Sequence, residues 1–206
     1  MKLRFPSRLA IAFVAIPVFA GCGPGRYPTN YVLNLPLAAP SLAPPADIRG
    51  ALAVHEFECR QYLCEGRVVY RPSPEEIGFY DFHRWAMNPR LMITQFVADR
   101  IRSESLFMSV ALEEAGVETA YMLKGTIERL EEVDQGSEVR AVCTISAQLL
   151  DTKTKSIIWS DTASQTVVVQ NRSVAGVVSS LSAAVRMSVD NLVKSMEHDI
   201  ASAKSQ

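Results

Sequence analysis

Histidine is scarce in this chain: His55, His83 and His198 are its only three in 206 residues. No two of them stand at zinc-site spacing, and no Gly-x-Ser-x-Gly elbow accompanies any of them. Nor does a glycine-rich loop lead into Lys-Ser or Lys-Thr, the pattern that cradles nucleotide phosphates. Neither positive nor negative charge dominates. Lys+Arg number 21 against 22 Asp+Glu, with no basic cluster, which argues against nucleic acid as a partner. Beyond residue 22 no apolar run approaches the roughly 20 residues that a membrane-spanning helix needs.

What is present is concentrated at the start. Lys2, Arg4 and Arg8 precede an uncharged run from Leu9 to Ala20, and Phe19-Ala20-Gly21 lead into Cys22. The run is too short to span a bilayer and reads as a removed signal peptide, residues 1–21. Its ending resembles the bacterial lipobox, with Phe19 where an aliphatic residue is usual. That resemblance implies that Cys22 is acylated and becomes the first residue of the mature protein. Several acyl chains on one cysteine hold far better than a single chain, because each buried methylene contributes roughly 0.8 kcal/mol. Gly23, in place of the aspartate that often marks inner-membrane retention, directs the expectation to the periplasmic face of the outer membrane. The covalent lipid is the only non-protein group expected, with no cofactor and no metal.

An oxidising periplasm makes Cys59 and Cys64 a candidate local disulfide across Arg-Gln-Tyr-Leu. Cys143 falls on the apolar parity of a strand and reads as a core thiol. Residues 22–29 form a short tether, and residues 30–202 form one domain. Within it, Asn30–Leu35 is predicted as a first strand, followed by a proline-rich stretch from Pro36 to Gly50. Further strands are predicted at 51–57, 67–71, 76–82 and 107–112. Asn88 and Pro89 open a helix to about Arg102. Tyr121, Leu123 and Ile127 alternate with polar residues, as do Val139, Ala141, Cys143, Ile145, Ala147 and Leu149, the clearest half-buried strand. A last strand is predicted from Ile157 to Val169, bulged midway. Ser173 caps a closing helix to about Ile200, with Arg186, Asp190 and Lys194 toward solvent. The expected fold is a single α/β domain whose mixed, mostly antiparallel sheet is packed by two main helices.

His55, beside Glu56 in a strand, and His198, near a helix end, read as structural; His83 is the one histidine in a polar cluster. No residue is assigned a catalytic role. Aromatic residues gather instead at Tyr70, Phe79, Tyr80, Phe82 and Trp85, around Pro72-Ser73-Pro74. Phe79 and Tyr80 are adjacent, so a strand with one buried face must present at least one of them outward, exposed to water or covered by a partner. Tyr70, Phe79, Tyr80 and Trp85 are the candidate partner interface, beside a strand edge open to pairing.

An ordered series of segments carries a wider resemblance: Tyr31-Val32-Leu33, Val68-Val69-Tyr70-Arg71, Glu76-Ile77-Gly78-Phe79-Tyr80, Arg84-Trp85-Ala86 before Pro89, Tyr121-Met122-Leu123-Lys124-Gly125, Leu149-Leu150-Asp151, and Leu181-Ser182-Ala183-Ala184 in the closing helix. Together with the signal they resemble the ABC-type transport auxiliary lipoprotein family over nearly the whole mature chain. Cys64 departs from the pattern, standing where an acidic residue is expected, and Cys59 is not part of it. The resemblance implies a non-catalytic accessory or docking subunit at the outer-membrane end of an MCE-type lipid transport system. An MCE-domain protein is then the expected partner, and homo-oligomerisation follows from the need to match a ring. The alternative is an envelope-biogenesis lipoprotein that scaffolds or activates cell-wall or outer-membrane machinery.

Overall fold

The computed structural model describes residues 27–36, 48–114 and 117–203; the signal peptide and Cys22 lie outside these described residues. Nine strands and two helices make a single α/β domain with a mixed sheet. In chain order the strands are β1 (Thr29–Tyr31), β2 (Ile48–Val54), β3 (Glu58–Cys59), β4 (Arg67–Ser73), β5 (Glu76–Trp85), β6 (Phe107–Leu112), β7 (Tyr121–Gln135), β8 (Glu138–Asp151) and β9 (Ile157–Val168). The helices are α1 (Pro89–Ser103) and α2 (Val174–Ala203).

The longest ladders are antiparallel. β7 and β8 pair from Tyr121 opposite Asp151 to Gln135 opposite Glu138, and β8 pairs with β9 from Arg140 opposite Val168 to Leu150 opposite Ile157. β7 also joins the other half of the sheet, where the spatial order is β1-β5-β4-β7-β2-β6 and most ladders are short and parallel. The alternation read at Val139–Leu149 holds, with Ala141, Cys143, Ile145, Ala147 and Leu149 all buried. Their common face meets α2, whose Val177, Leu181, Val185, Val189 and Val193 are buried against it. Burial pushes the Cys143 thiol up to about 12, which leaves it an unreactive part of the core.

Both helix starts form for the predicted reason. Asn88 Oδ1 accepts from the Arg90 backbone N–H at 3.0 Å, and Ser173 Oγ accepts from the Gly176 N–H at 3.2 Å, each satisfying an orphan first-turn donor. On α1, Ile93, Phe96, Val97 and Ile101 are all buried. Cys59 and Cys64 are paired as a disulfide, with Cα atoms 6.4 Å apart, around a 3-10 turn at Gln61–Leu63 that buries Leu63.

Four expectations need correction, and residues 37–47 of the expected proline-rich stretch lie outside the described residues. The strand expected at 51–57 runs instead from Ile48 to Val54. The first strand stops at Tyr31, because α2 takes over the backbone that follows. Ser182 Oγ accepts from the Asn34 N–H at 3.0 Å, and Arg186 donates to the Asn34 carbonyl at 2.8 Å. Arg186 and Asp190 reach solvent only in part and also serve as tethers, since Asp190 accepts from Arg100 Nε at 2.7 Å. The irregularity in β9 lies at its beginning, opposite Leu149 and Leu150, and not midway.

Candidate partner interface

The aromatic cluster is set by a local failure of the two-residue period. Along β5 the chain advances five residues, from Phe79 to Arg84, while its partner β4 advances two, from Val69 to Arg67. Such a bulge re-aims the side chains on the longer strand. Tyr80 and His83, three residues apart, therefore meet edge to face, with ring centroids 5.7 Å apart and planes at 86°. Tyr70 packs on Tyr80 from the other side at 5.0 Å, and Tyr31 shares a 3.1 Å hydrogen bond with His83 Nδ1. A row Tyr70–Tyr80–His83–Tyr31 results, running from β4 across β5 to β1.

Gly78 makes room for this row. It stands directly across from Tyr70, whose ring fills the space a Cβ on Gly78 would occupy. A side chain there and the Tyr70 ring are mutually exclusive.

Phe79 and Tyr80 divide between two surroundings. The Arg67 guanidinium carbon sits 4.1 Å from the Phe79 ring centroid, a cation–π contact. Tyr80 instead donates its hydroxyl to Glu132 Oε2 at 2.6 Å. Both are half-buried, neither fully exposed nor sealed in the core. Trp85 is 7% exposed and belongs to the core, so it is removed from the candidate interface. The alternation from Tyr80 would have put Trp85 on the other face; the bulge carries it inward. Phe82, 43% exposed, is the aromatic that faces outward, and the reading of sites from sequence passed over it. Its flanks, Asp81 and His83, are polar, but its exposure is decided by the bulge against β4, which the sequence does not show.

The edge beside this cluster is partly open. β1 pairs with β5 only at His83, Arg84 and Trp85, so among the described residues the stretch from Glu76 to Phe82 has no partner on its outer side. Unpaired donors and acceptors on a strand edge can accept an added strand.

Beneath the row lie two adjacent carboxylates on opposite faces of β7, which sequence reading did not single out. A register shift between Ile127 and Arg129 brings Leu130 opposite Cys143 and Glu132 opposite Ala141, on the core face. Glu131 then falls opposite Val142, on the outer face. Glu131 is fully buried and bracketed by two guanidinium groups: Arg71 Nε at 2.9 Å and Arg129 Nε at 2.7 Å, both on Oε1. Hydrogen bonding to Glu131 raises the Arg71 pKa. Burial raises the Glu132 carboxyl above its ordinary value, against the opposing effect of the Tyr80 hydrogen bond. Burial likewise raises the Tyr80 phenol, helped by that same bond. The tyrosine is therefore a neutral donor, not a nucleophile.

The histidines are dispersed. His55 is in contact with Glu113 and lines a small polar cleft of about 230 Å³ with Glu58, Lys124, Ser146 and Gln148. The one serine in that cleft, Ser146, donates to Glu128 at 3.3 Å and not to the histidine. His198 is exposed near the end of α2. Among the described residues no three His, Cys, Asp or Glu side chains are placed to hold a metal ion, and no helix is long and apolar enough to cross a membrane.

Solved structures share this architecture. A Xanthomonas campestris protein superposes with a TM-score of 0.71 at 20% identity, covering 87% of this chain and 98% of that one. An uncharacterised protein gives 0.64 at 13% identity, with coverage of 82% and 99%. A hypothetical protein from Chlamydia trachomatis gives 0.52 at 10% identity, with coverage of 75% and 99%. At these identities the likeness concerns the fold alone. No curated protein matches the chain. The model of the ABC-type transport auxiliary lipoprotein component family matches residues 31–193, from the tyrosine that ends β1 to the valine deep in α2. With most of its length matched, the chain belongs to the ABC-type transport auxiliary lipoprotein component family.

Proposed function

We propose that the mature protein is anchored by acylated Cys22 at the periplasmic face of the outer membrane, as a non-catalytic docking subunit of an MCE-type, ABC transporter-linked lipid transport system. The observation that carries this reading is the family match over residues 31–193 in a chain whose first 22 residues end in a lipobox-like Phe-Ala-Gly-Cys. An accessory subunit works by contact, and the open edge of β5 with Phe79, Tyr80, Tyr70 and the exposed Phe82 offers a place for it. Aromatic residues are enriched at protein interfaces because they bury large area at small entropic cost. A ring-shaped partner would be matched by a homo-oligomer of this subunit.

The deciding experiment is affinity capture of the acylated protein from detergent-solubilised envelope. Recovery of an MCE-domain protein in amounts comparable to the bait supports the docking role. Recovery of cell-wall or outer-membrane assembly proteins in its place would shift the assignment to envelope biogenesis.

A further inference from the structure

Three carboxylates stand along the open edge of β5 with nothing to neutralise them. Glu75 in the β4–β5 turn, Glu76 at the start of β5 and Asp81 in the bulge are all exposed. Among the described residues none of the three has a hydrogen-bond or ion-pair partner. Arg71, on β4 beside the turn, gives its donors to Glu131 and to the Pro74 carbonyl. Arg67 lies against the Phe79 ring and pairs with Glu65. Arg84 sits where β1 already covers the edge, opposite Asn30. The edge thus offers unpaired backbone groups inside a negative field, with the exposed Phe82 as its apolar contact.

Charge selects the occupant. A second copy pairing β5 to β5 would set acidic edge against acidic edge, and like charges on facing strands are destabilising. The edges that β6 and β9 of a second copy would bring carry no cation. β9 has Asp161 as its only charged residue; β6 has none, and Arg102 already occupies its Val110 carbonyl at 2.9 Å. The chain's own tether is ill suited to continue the ladder that β1 begins. Pro24 and Pro28 lack the N–H, and Tyr27, next to Pro28, is 90% exposed. Residues 37–47 include three prolines and no lysine or arginine. A cationic strand from another protein is what fits.

We infer that the open edge of β5 receives, by strand addition, an extended segment of a partner protein that carries lysine or arginine. This rests on the docking role proposed for the same edge and adds the chemistry of what docks. Main-chain pairing supplies affinity with little regard to sequence, so the side chains along the edge decide which strand is admitted. The acidic residues attract a basic segment and repel a second acidic edge, including that of another copy. The bulge limits indiscriminate pairing further.

The test uses the full-length protein and the partner recovered with it by affinity capture. Glu75→Gln, Glu76→Gln and Asp81→Asn combined should weaken association about tenfold at low salt and flatten its salt dependence, with the melting temperature unchanged. The same loss of three exposed charges elsewhere, through Glu114→Gln, Asp161→Asn and Glu197→Gln, should have little effect. A photo-cross-linking residue, p-benzoylphenylalanine, in place of Glu76 should join a stretch of the partner that holds lysine or arginine. Wild-type affinity in the edge variant, or an equal loss in both variants, would overturn the inference and leave the docking role standing. So would cross-links confined to a partner stretch without cations, to a second copy, or to the chain's own residues 22–28. Capture of no partner at all would remove the docking reading, and this inference with it.

Discussion

The Tyr80 hydroxyl lies 2.6 Å from Glu132 Oε2, joining the aromatic row on β5 to a carboxylate on the core face of β7. Burial raises the Glu132 pKa, so over the interval between its unfolded and folded values the native chain holds the extra proton. Its contribution to stability is therefore largest in acid and is lost as pH rises through the folded value. Glu132→Gln keeps an acceptor for Tyr80 without a charge to desolvate. Variant and wild type should differ little near about pH 4 and diverge toward neutral pH, with the variant the more stable. Thermal denaturation at a series of pH values measures this. A wild type that gained on the variant toward neutral pH would show that the carboxylate is stabilised, not penalised, in place.

Glu131, on the opposite face, should respond to substitution in the opposite direction, with loss of stability. It is fully buried between Arg71 and Arg129, and its removal leaves two guanidinium groups without their shared acceptor. Glu131→Ala should destabilise the domain by about 3 kcal/mol, in the range for breaking a buried pair. Arg129→Ala should cost less than about 1 kcal/mol, because that side chain is 39% exposed and Arg71 still satisfies the carboxylate. Urea unfolding of both variants gives the comparison.

Gly78 is the most sensitive backbone position of the candidate interface. A methyl group there meets the Tyr70 ring, which must leave its place against Tyr80. Gly78→Ala should cost about 1–3 kcal/mol, the usual range for overpacking, and should change the tyrosine signal in near-ultraviolet circular dichroism. A variant of wild-type stability with an unchanged spectrum would show that the row adjusts freely.

The elements that sequence reading places well are those whose apolar period is unbroken: Val139–Leu149, the buried stripe of α1, and the capped start of α2. What it misses lies where the period breaks. Two irregularities, one between Phe79 and Arg84 and one between Ile127 and Arg129, decide which way Tyr80, His83, Trp85, Glu131 and Glu132 point. A bulge depends on the partner strand and carries no local signature strong enough to be read from one chain. The early end of β1 has the same origin. Asn30–Leu35 has strand composition, yet Ser182 and Arg186, about 150 residues away, claim the backbone of Asn34. The aromatic concentration near the Pro72–Pro74 corner was legible; which of its members stays in water was not.

That last distinction carries the prediction for function. Phe82 is exposed on the bulged, unpaired part of β5, whereas Phe79 lies under Arg67 and Trp85 is in the core. Phe82→Asp removes an exposed aromatic without opening a cavity, so thermal stability should stay near wild type. A central aromatic anchor of an interface typically carries more than 1 kcal/mol, so association with the captured partner should weaken by about tenfold. Trp85→Ala should instead unfold or strongly destabilise the domain, losing association only as a consequence. Single alanines at His55, His83 and His198 should leave association nearly intact, with His83→Ala the most perturbing through its contacts to Tyr31 and Tyr80. Quantitative capture of each variant, beside its melting temperature, separates these cases. A histidine variant that abolished activity in cells while binding and stability stayed at wild-type levels would replace the docking role with a catalytic one.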